Sequence, residues 1–107
     1  MNTRMPAVSR DRIDKAATGH LCSVTAGCIS TARSVFINGR RVLRPGDRLL
    51  PHTILFCTPD GCYCKNHPAK VNMGSRQVFA EGIPVARKGD SADRGRMLHG
   101  SPNVFAG

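Results

Sequence analysis

Residues 34–47 read SVFINGRRVLRPGD, and residues 77–90 read QVFAEGIPVARKGD. Both place Val-Phe first, at Val35-Phe36 and Val78-Phe79, then a turn at Asn38-Gly39 or Glu81-Gly82. A short apolar run follows, and then a sharp Gly-Asp turn at Gly46-Asp47 or Gly89-Asp90. Asn-Gly between apolar segments is a strong hairpin signal, because the turn requires residues that tolerate positive φ. Each copy therefore predicts strand, tight turn, strand, sharp turn.

The chain ends on NVFAG, residues 103–107, which is the first half of the same unit, introduced by Gly100-Ser101 as the second copy is by Gly74-Ser75. The missing second half stands at the other terminus, where Pro6 to Asp11 (PAVSRD) lines up with Pro84 to Asp90 (PVARKGD), one residue shorter. Three units whose ends complete one another, as in a circular permutation, imply a closed object with pseudo-threefold symmetry and adjacent termini. An open solenoid would carry capping units instead. No apolar period of 3.6 is sustained over ten residues, and 11 Gly with 7 Pro punctuate the chain, so the fold class is small, all-β and turn-rich. Val35, Phe36, Val78, Phe79, Val104 and Phe105 recur once per unit and are expected to form the core and part of a flat base.

At 107 residues the chain is expected to be one domain, residues 5–107, after a short tail, residues 1–4. Met1 to Asp14 is polar and charged, with no apolar run of signal-peptide length, which predicts synthesis in the cytoplasm without a leader. The net charge is +9, with 16 Lys and Arg against 7 Asp and Glu. Its Arg residues are scattered from Arg4 to Arg96 without interleaved aromatics, which argues against nucleic acid as a partner.

Three excursions connect the units, at residues 11–30, 47–73 and 90–99, and in a threefold object they meet around the axis. His20, His52 and His67 lie in the two long ones, beside five Cys at 22, 28, 57, 62 and 64. Loops that converge in a fold with little apolar bulk suit a tetrahedral metal, and a closed four-ligand site would be structural rather than catalytic. An odd number of Cys favours metal binding or reduced thiols over a disulfide framework. For Cys57, Cys62 and Cys64 three states stay open: a second metal site, a disulfide pair with one spare, or buried thiols. No HExxH, paired CxxC, Ser-His-Asp order or phosphate-cradling loop is present.

The units PVARKGD and RVLRPGD, the opening MPAVSRD, and the segments GSRQVFAEG and GSPNVFAG resemble PAAR-repeat proteins over nearly the whole chain, Met5 to Gly107. Members of that family form the pointed tip of the spike in type VI secretion systems and contractile phage tails. The resemblance implies a small conical β-fold of three permuted hairpin repeats. It implies a base seated on a trimeric β-helical spike of the VgrG or phage central-spike type, one copy per trimer, with transient contact to a target outer membrane. It also implies a bound Zn2+, or Fe, held by three His and one Cys, matched here by His20, His52 and His67. At the fourth position the sequence departs from the family, since counting back from Gly100-Ser101 puts Asp93 where the Cys stands. Cys57, Cys62 and Cys64 are the alternatives, and His99 comes last because it abuts the returning strand. Two other functions stay open, a zinc-stabilised nucleic-acid-binding module and a metal-dependent effector.

Overall fold

A computed structural model describes residues 5–107; the four-residue tail, Met1 to Arg4, lies outside the described residues. Eleven short strands and no helix are found among them. Two are hairpins at the repeated phrase. β3 (Phe36–Ile37) pairs with β4 (Arg40–Arg41), and β8 (Phe79–Ala80) pairs with β9 (Ile83–Pro84). Their turns place Asn38 and Glu81 at φ 53°, each followed by a positive-φ Gly, as the turn chemistry requires. In the third unit a bridge between Ala7 and Phe105 joins the two ends of the chain.

The second halves of the units, Val8-Ser9-Arg10, Val42-Leu43-Arg44 and Val85-Ala86-Arg87, close a ring. The Ser9 amide donates to Ala86 O at 2.9 Å, the Ala86 amide to Leu43 O at 2.7 Å, and the Leu43 amide to Ser9 O at 3.0 Å. Each segment is also tied to its own first half, with Val8, Val42 and Val85 donating to Val104, Val35 and Val78 at 2.9, 3.1 and 3.1 Å. Successive side chains on an extended segment point to opposite sides, so the ring separates two apolar layers. Val8, Val42 and Val85 join Ala32, Ala80 and Ala106 in the layer of the hairpins. Leu43 and Ala86 join Ala16, Cys28, Leu49, Val71, Ala92 and Met97 in the layer of the excursions. Leu43 is fully buried there. Leu43→Ala is expected to cost about 2–5 kcal/mol, read by denaturant unfolding.

Each ring segment ends in an Asp that turns the chain outward. Carboxylate oxygens of Asp14, Asp47 and Asp90 accept from the amides of Arg10, Arg44 and Arg87 at 2.8, 2.9 and 2.8 Å. This corrects the sequence alignment of the first unit. Asp14 rather than Asp11 matches the Gly-Asp turns, and the first unit is longer by one residue, with Arg12 (φ 62°) standing where the others have Gly46 and Gly89. Arg12, Gly46 and Gly89 each donate an amide to the returning excursion, at Cys28, Val71 and Met97.

A second correction concerns the repeated aromatics. Phe36, Phe79 and Phe105 are 54%, 56% and 49% exposed, so they are not core residues. The ring takes its apolar filling from the small Ala and Val positions, which leaves no room beneath it for three Phe rings. Val35 and Val104 pack against the hairpin layer, while Val78 stays exposed.

The excursions contribute a sheet in the order β10 (Ser91–Ala92), β11 (Gly95–Met97), β1 (Lys15–Ala17), β2 (Thr25–Ile29), β5 (Arg48–Leu49). The remaining pair, β6 (His52–Thr58) and β7 (Gly61–His67), is a separate two-stranded hairpin. It is exposed along most of its length. Among the described residues, no helix is long and apolar enough to cross a membrane.

Candidate metal centre

Three excursions deliver one side chain or more each to a common point. The first turns back between β1 and β2, where buried Thr18 anchors the loop: its amide donates to Val24 O at 2.9 Å, and its hydroxyl accepts from the His20 amide at 3.1 Å. The second supplies His52 and His67, which sit opposite each other at the root of the β6–β7 hairpin. The third supplies Asp93 from the tight turn between β10 and β11, at φ 52°, a conformation Asp tolerates better than most residues. The Asp93 amide donates to Lys70 O at 3.0 Å, and Asn72 Nδ2 donates to Asp93 O at 3.0 Å, so its backbone is fixed from two sides.

Potential ligand atoms of His20, His52, His67 and Asp93 all lie within 4.8 Å of one another. Nε2 of His52 stands 2.8 Å from Asp93 Oδ2, and Nε2 of His20 and of His67 stand 3.1 and 3.2 Å from Oδ1. The side chains of His20, His52 and Asp93 are 9%, 3% and 5% exposed, while that of His67 is 27% exposed. Burial pushes the Asp93 carboxyl up, but the hydrogen bonds with His52, His20 and His67 outweigh it and hold the group below its ordinary value.

These residues fit a cation. His52 Nδ1 lies 3.1 Å from the Leu50 carbonyl, which can only accept, so Nδ1 carries a proton. In neutral imidazole that leaves a lone pair on Nε2, facing a carboxylate oxygen. Two acceptors at that distance need a proton or a metal between them. Two more imidazoles converge on the same carboxylate, and one divalent ion would satisfy all four groups at once. Ligand atoms about 2.0–2.1 Å from a tetrahedral zinc lie roughly 3.3 Å apart, close to the His–Asp separations here. Four protein ligands fill a tetrahedral shell, which is the pattern of a structural site.

The cysteine alternatives for the fourth ligand are overturned. Cys57 pairs with Cys62, and Cys64 pairs with Cys22, so none of the three offers a thiolate. The parity argument from five Cys failed because the odd one is isolated: Cys28 is buried against Met97, and burial, followed by Asp47, Asp11 and Asp14, pushes its thiol up to about 12. His99 is outside the cluster, its Nδ1 accepting from the Lys15 amide at 3.3 Å.

The ion site also lies at the root of the β6–β7 hairpin, whose strands continue to Thr58 and Gly61 beyond His52 and His67. The four-residue cluster therefore does not sit at the tip of that hairpin. The signal was present in the sequence as Pro59-Asp60-Gly61, a strong turn that follows the β-branched and aromatic run of residues 53–58.

No protein-family model matches the chain. Over 81 residues, 71% of its length, the chain is 28% identical to the acyl-(acyl-carrier-protein) UDP-N-acetylglucosamine O-acyltransferase of Brucella anthropi. It is 30% identical over the same length to the protein of that name from Brucella ovis. The chain spans 29% of the length of these relatives.

Proposed function

We propose that this chain is a PAAR-type spike tip: a small β-structure that caps a trimeric β-helical spike and is pinned by one zinc ion. The observation that carries this reading is the closed ring Ser9–Ala86–Leu43, which sets two hairpins and the bridged chain ends on one side and three converging excursions on the other. A single chain with threefold geometry is the solution for capping a true trimer. The exposed Phe36, Phe79 and Phe105, one per unit, supply an apolar set that would dock on the trimer's end. Such a cap would protect the unpaired strand edges of a β-helix, and a rigid point would concentrate the force of sheath contraction on the target envelope. The owner is either a phage tail or a secretion apparatus, and both use the same cap geometry.

The expected result of mixing the protein with a trimeric β-helical spike protein encoded in the same genome is one chain per trimer by native mass spectrometry. Burying half of one Phe contributes roughly 1 kcal/mol. Replacing all three (Phe36→Ser, Phe79→Ser, Phe105→Ser) is therefore expected to weaken the complex at least ~100-fold. Equal affinity for the triple variant would place the docking face elsewhere.

In this reading the chain is not an enzyme. The acyltransferase similarity motivates the direct check, transfer of an acyl group from acyl-carrier protein to UDP-N-acetylglucosamine by the zinc-loaded protein. No turnover is expected, because four protein ligands leave the ion no open position for substrate. Measurable turnover dependent on His52 would replace the structural reading with a catalytic one.

A further inference from the structure

The Cys22–Cys64 bond joins the two chain segments that carry His20 and His67. Cys22 follows His20 by two residues, and Cys64 precedes His67 by three on β7, so a bridge across 42 positions closes a small ring through the ion site. Little else holds the His20 loop to the hairpin. Ser23 Oγ meets Thr53 Oγ at 3.0 Å and accepts from the Thr53 amide at 2.9 Å, while Leu21 and Val24 on the same loop are 82% and 67% exposed. Among the described residues, the hairpin pairs with no further strand. The second disulfide, Cys57–Cys62, pairs directly opposite residues further out on the hairpin and does not touch the loop.

We propose that the Cys22–Cys64 disulfide is a redox latch on the metal centre: formed, it holds His20 against His67 and traps the ion; reduced, it lets the ion exchange. This rests on the reading of the four-residue cluster as a metal site. The latch closes by thiol–disulfide exchange. One cysteine thiolate attacks a low-molecular-weight disulfide such as oxidised glutathione, releasing one glutathione thiol. The second thiolate then attacks the mixed disulfide and releases the other. Two electrons pass from the cysteine pair to glutathione, and the two cysteine protons end on the two glutathione thiols. Under strongly reducing conditions the chain would load and exchange metal, and in an oxidising compartment it would keep the ion it holds.

Shortening the tether between two ligands raises their effective concentration with roughly the three-halves power of its length. The fold already supplies part of this constraint, so the expected gain is on the order of tenfold. The test measures zinc transfer from the loaded full-length protein to excess pyridylazoresorcinol, in oxidised glutathione and in tris(carboxyethyl)phosphine. Cys22→Ser/Cys64→Ser and Cys57→Ser/Cys62→Ser are run beside the parent; the Ser pair removes thiolates that would bind zinc themselves. Release about tenfold faster on reduction of the parent, matched by the 22/64 pair in both buffers and absent from the oxidised 57/62 pair, supports the latch. Equal release with and without the 22–64 bond overturns it while leaving the metal site intact. Failure of both the reduced parent and the Cys22→Ser/Cys64→Ser pair to take up zinc overturns the metal reading, and the latch with it. Peptide mapping of the oxidised protein that finds no 22–64 linkage overturns the latch alone.

Discussion

Stripping the ion with EDTA is expected to lower the melting temperature by about 15 °C. The expected size follows from linkage: a ligand present at a thousand times its dissociation constant stabilises the folded state by about 4 kcal/mol, and in a domain of this size each kcal/mol is worth at least ~4 °C. The loss is large because the cluster ties three segments together at one point: the His20 loop, the root of the β6–β7 hairpin and the β10–β11 turn. His52→Ala is expected to reproduce the effect of EDTA and to abolish further response to it. Its ring is the most buried of the three and is aimed by its hydrogen bond to Leu50 O. Asp93→Asn, which keeps the shape of the side chain but removes its charge, is expected to bind zinc more weakly. His99→Ala should leave both metal content and melting temperature unchanged. A melting temperature indifferent to EDTA in zinc-loaded protein would mean that the ion does not hold these segments together.

The second large effect is expected at Gly95, where no ligand is involved. A Cβ on Gly95 would stand 1.9 Å from Ala17 O and 2.7 Å from Ala17 C. Those are backbone atoms of the neighbouring strand β1, which is itself paired on its other side with β2, so they have nowhere to move. The Gly19 position has the same character, its added Cβ meeting Arg94 backbone at 2.9 Å. Gly95→Ala is expected to cost at least ~3 kcal/mol, the upper end of overpacking penalties, and to lower the melting temperature by about 12 °C. Because Gly95 lies two residues after Asp93, the same substitution should weaken zinc binding, whereas Leu43→Ala in the core should leave it nearly intact. A Gly95→Ala protein as stable as the parent would show that β11 does not lie against β1 as described.

The units were legible because their chemistry is local. Asn38-Gly39 and Glu81-Gly82 declare their turns, and the Val-x-Arg spacing carries the ring. The first unit was misaligned because the extra residue before Asp14 leaves Asp11 looking like the expected turn Asp, and only the amide bond to Arg10 distinguishes them. His20, His52 and His67 could be named because they lie in the two long excursions between the repeated units, and Asp93 because the resemblance to PAAR-repeat proteins counts back to it from Gly100-Ser101. Other features depended on distance in space rather than along the chain. Nothing near Cys22 points to Cys64, and the hairpin was hidden in what read as a connection. The exposed Phe36, Phe79 and Phe105 defeat the ordinary rule that apolar means buried.

The arrangement makes a single demand on the ion: four protein ligands, none of them sulfur, and no solvent position. X-ray absorption at the zinc edge of the loaded protein is expected to show nitrogen and oxygen neighbours at about 2.0 Å, with the signature of three imidazoles. A sulfur shell at about 2.3 Å, or an added water ligand that exchanges with azide or cyanide, would contradict the closed His20–His52–His67–Asp93 centre.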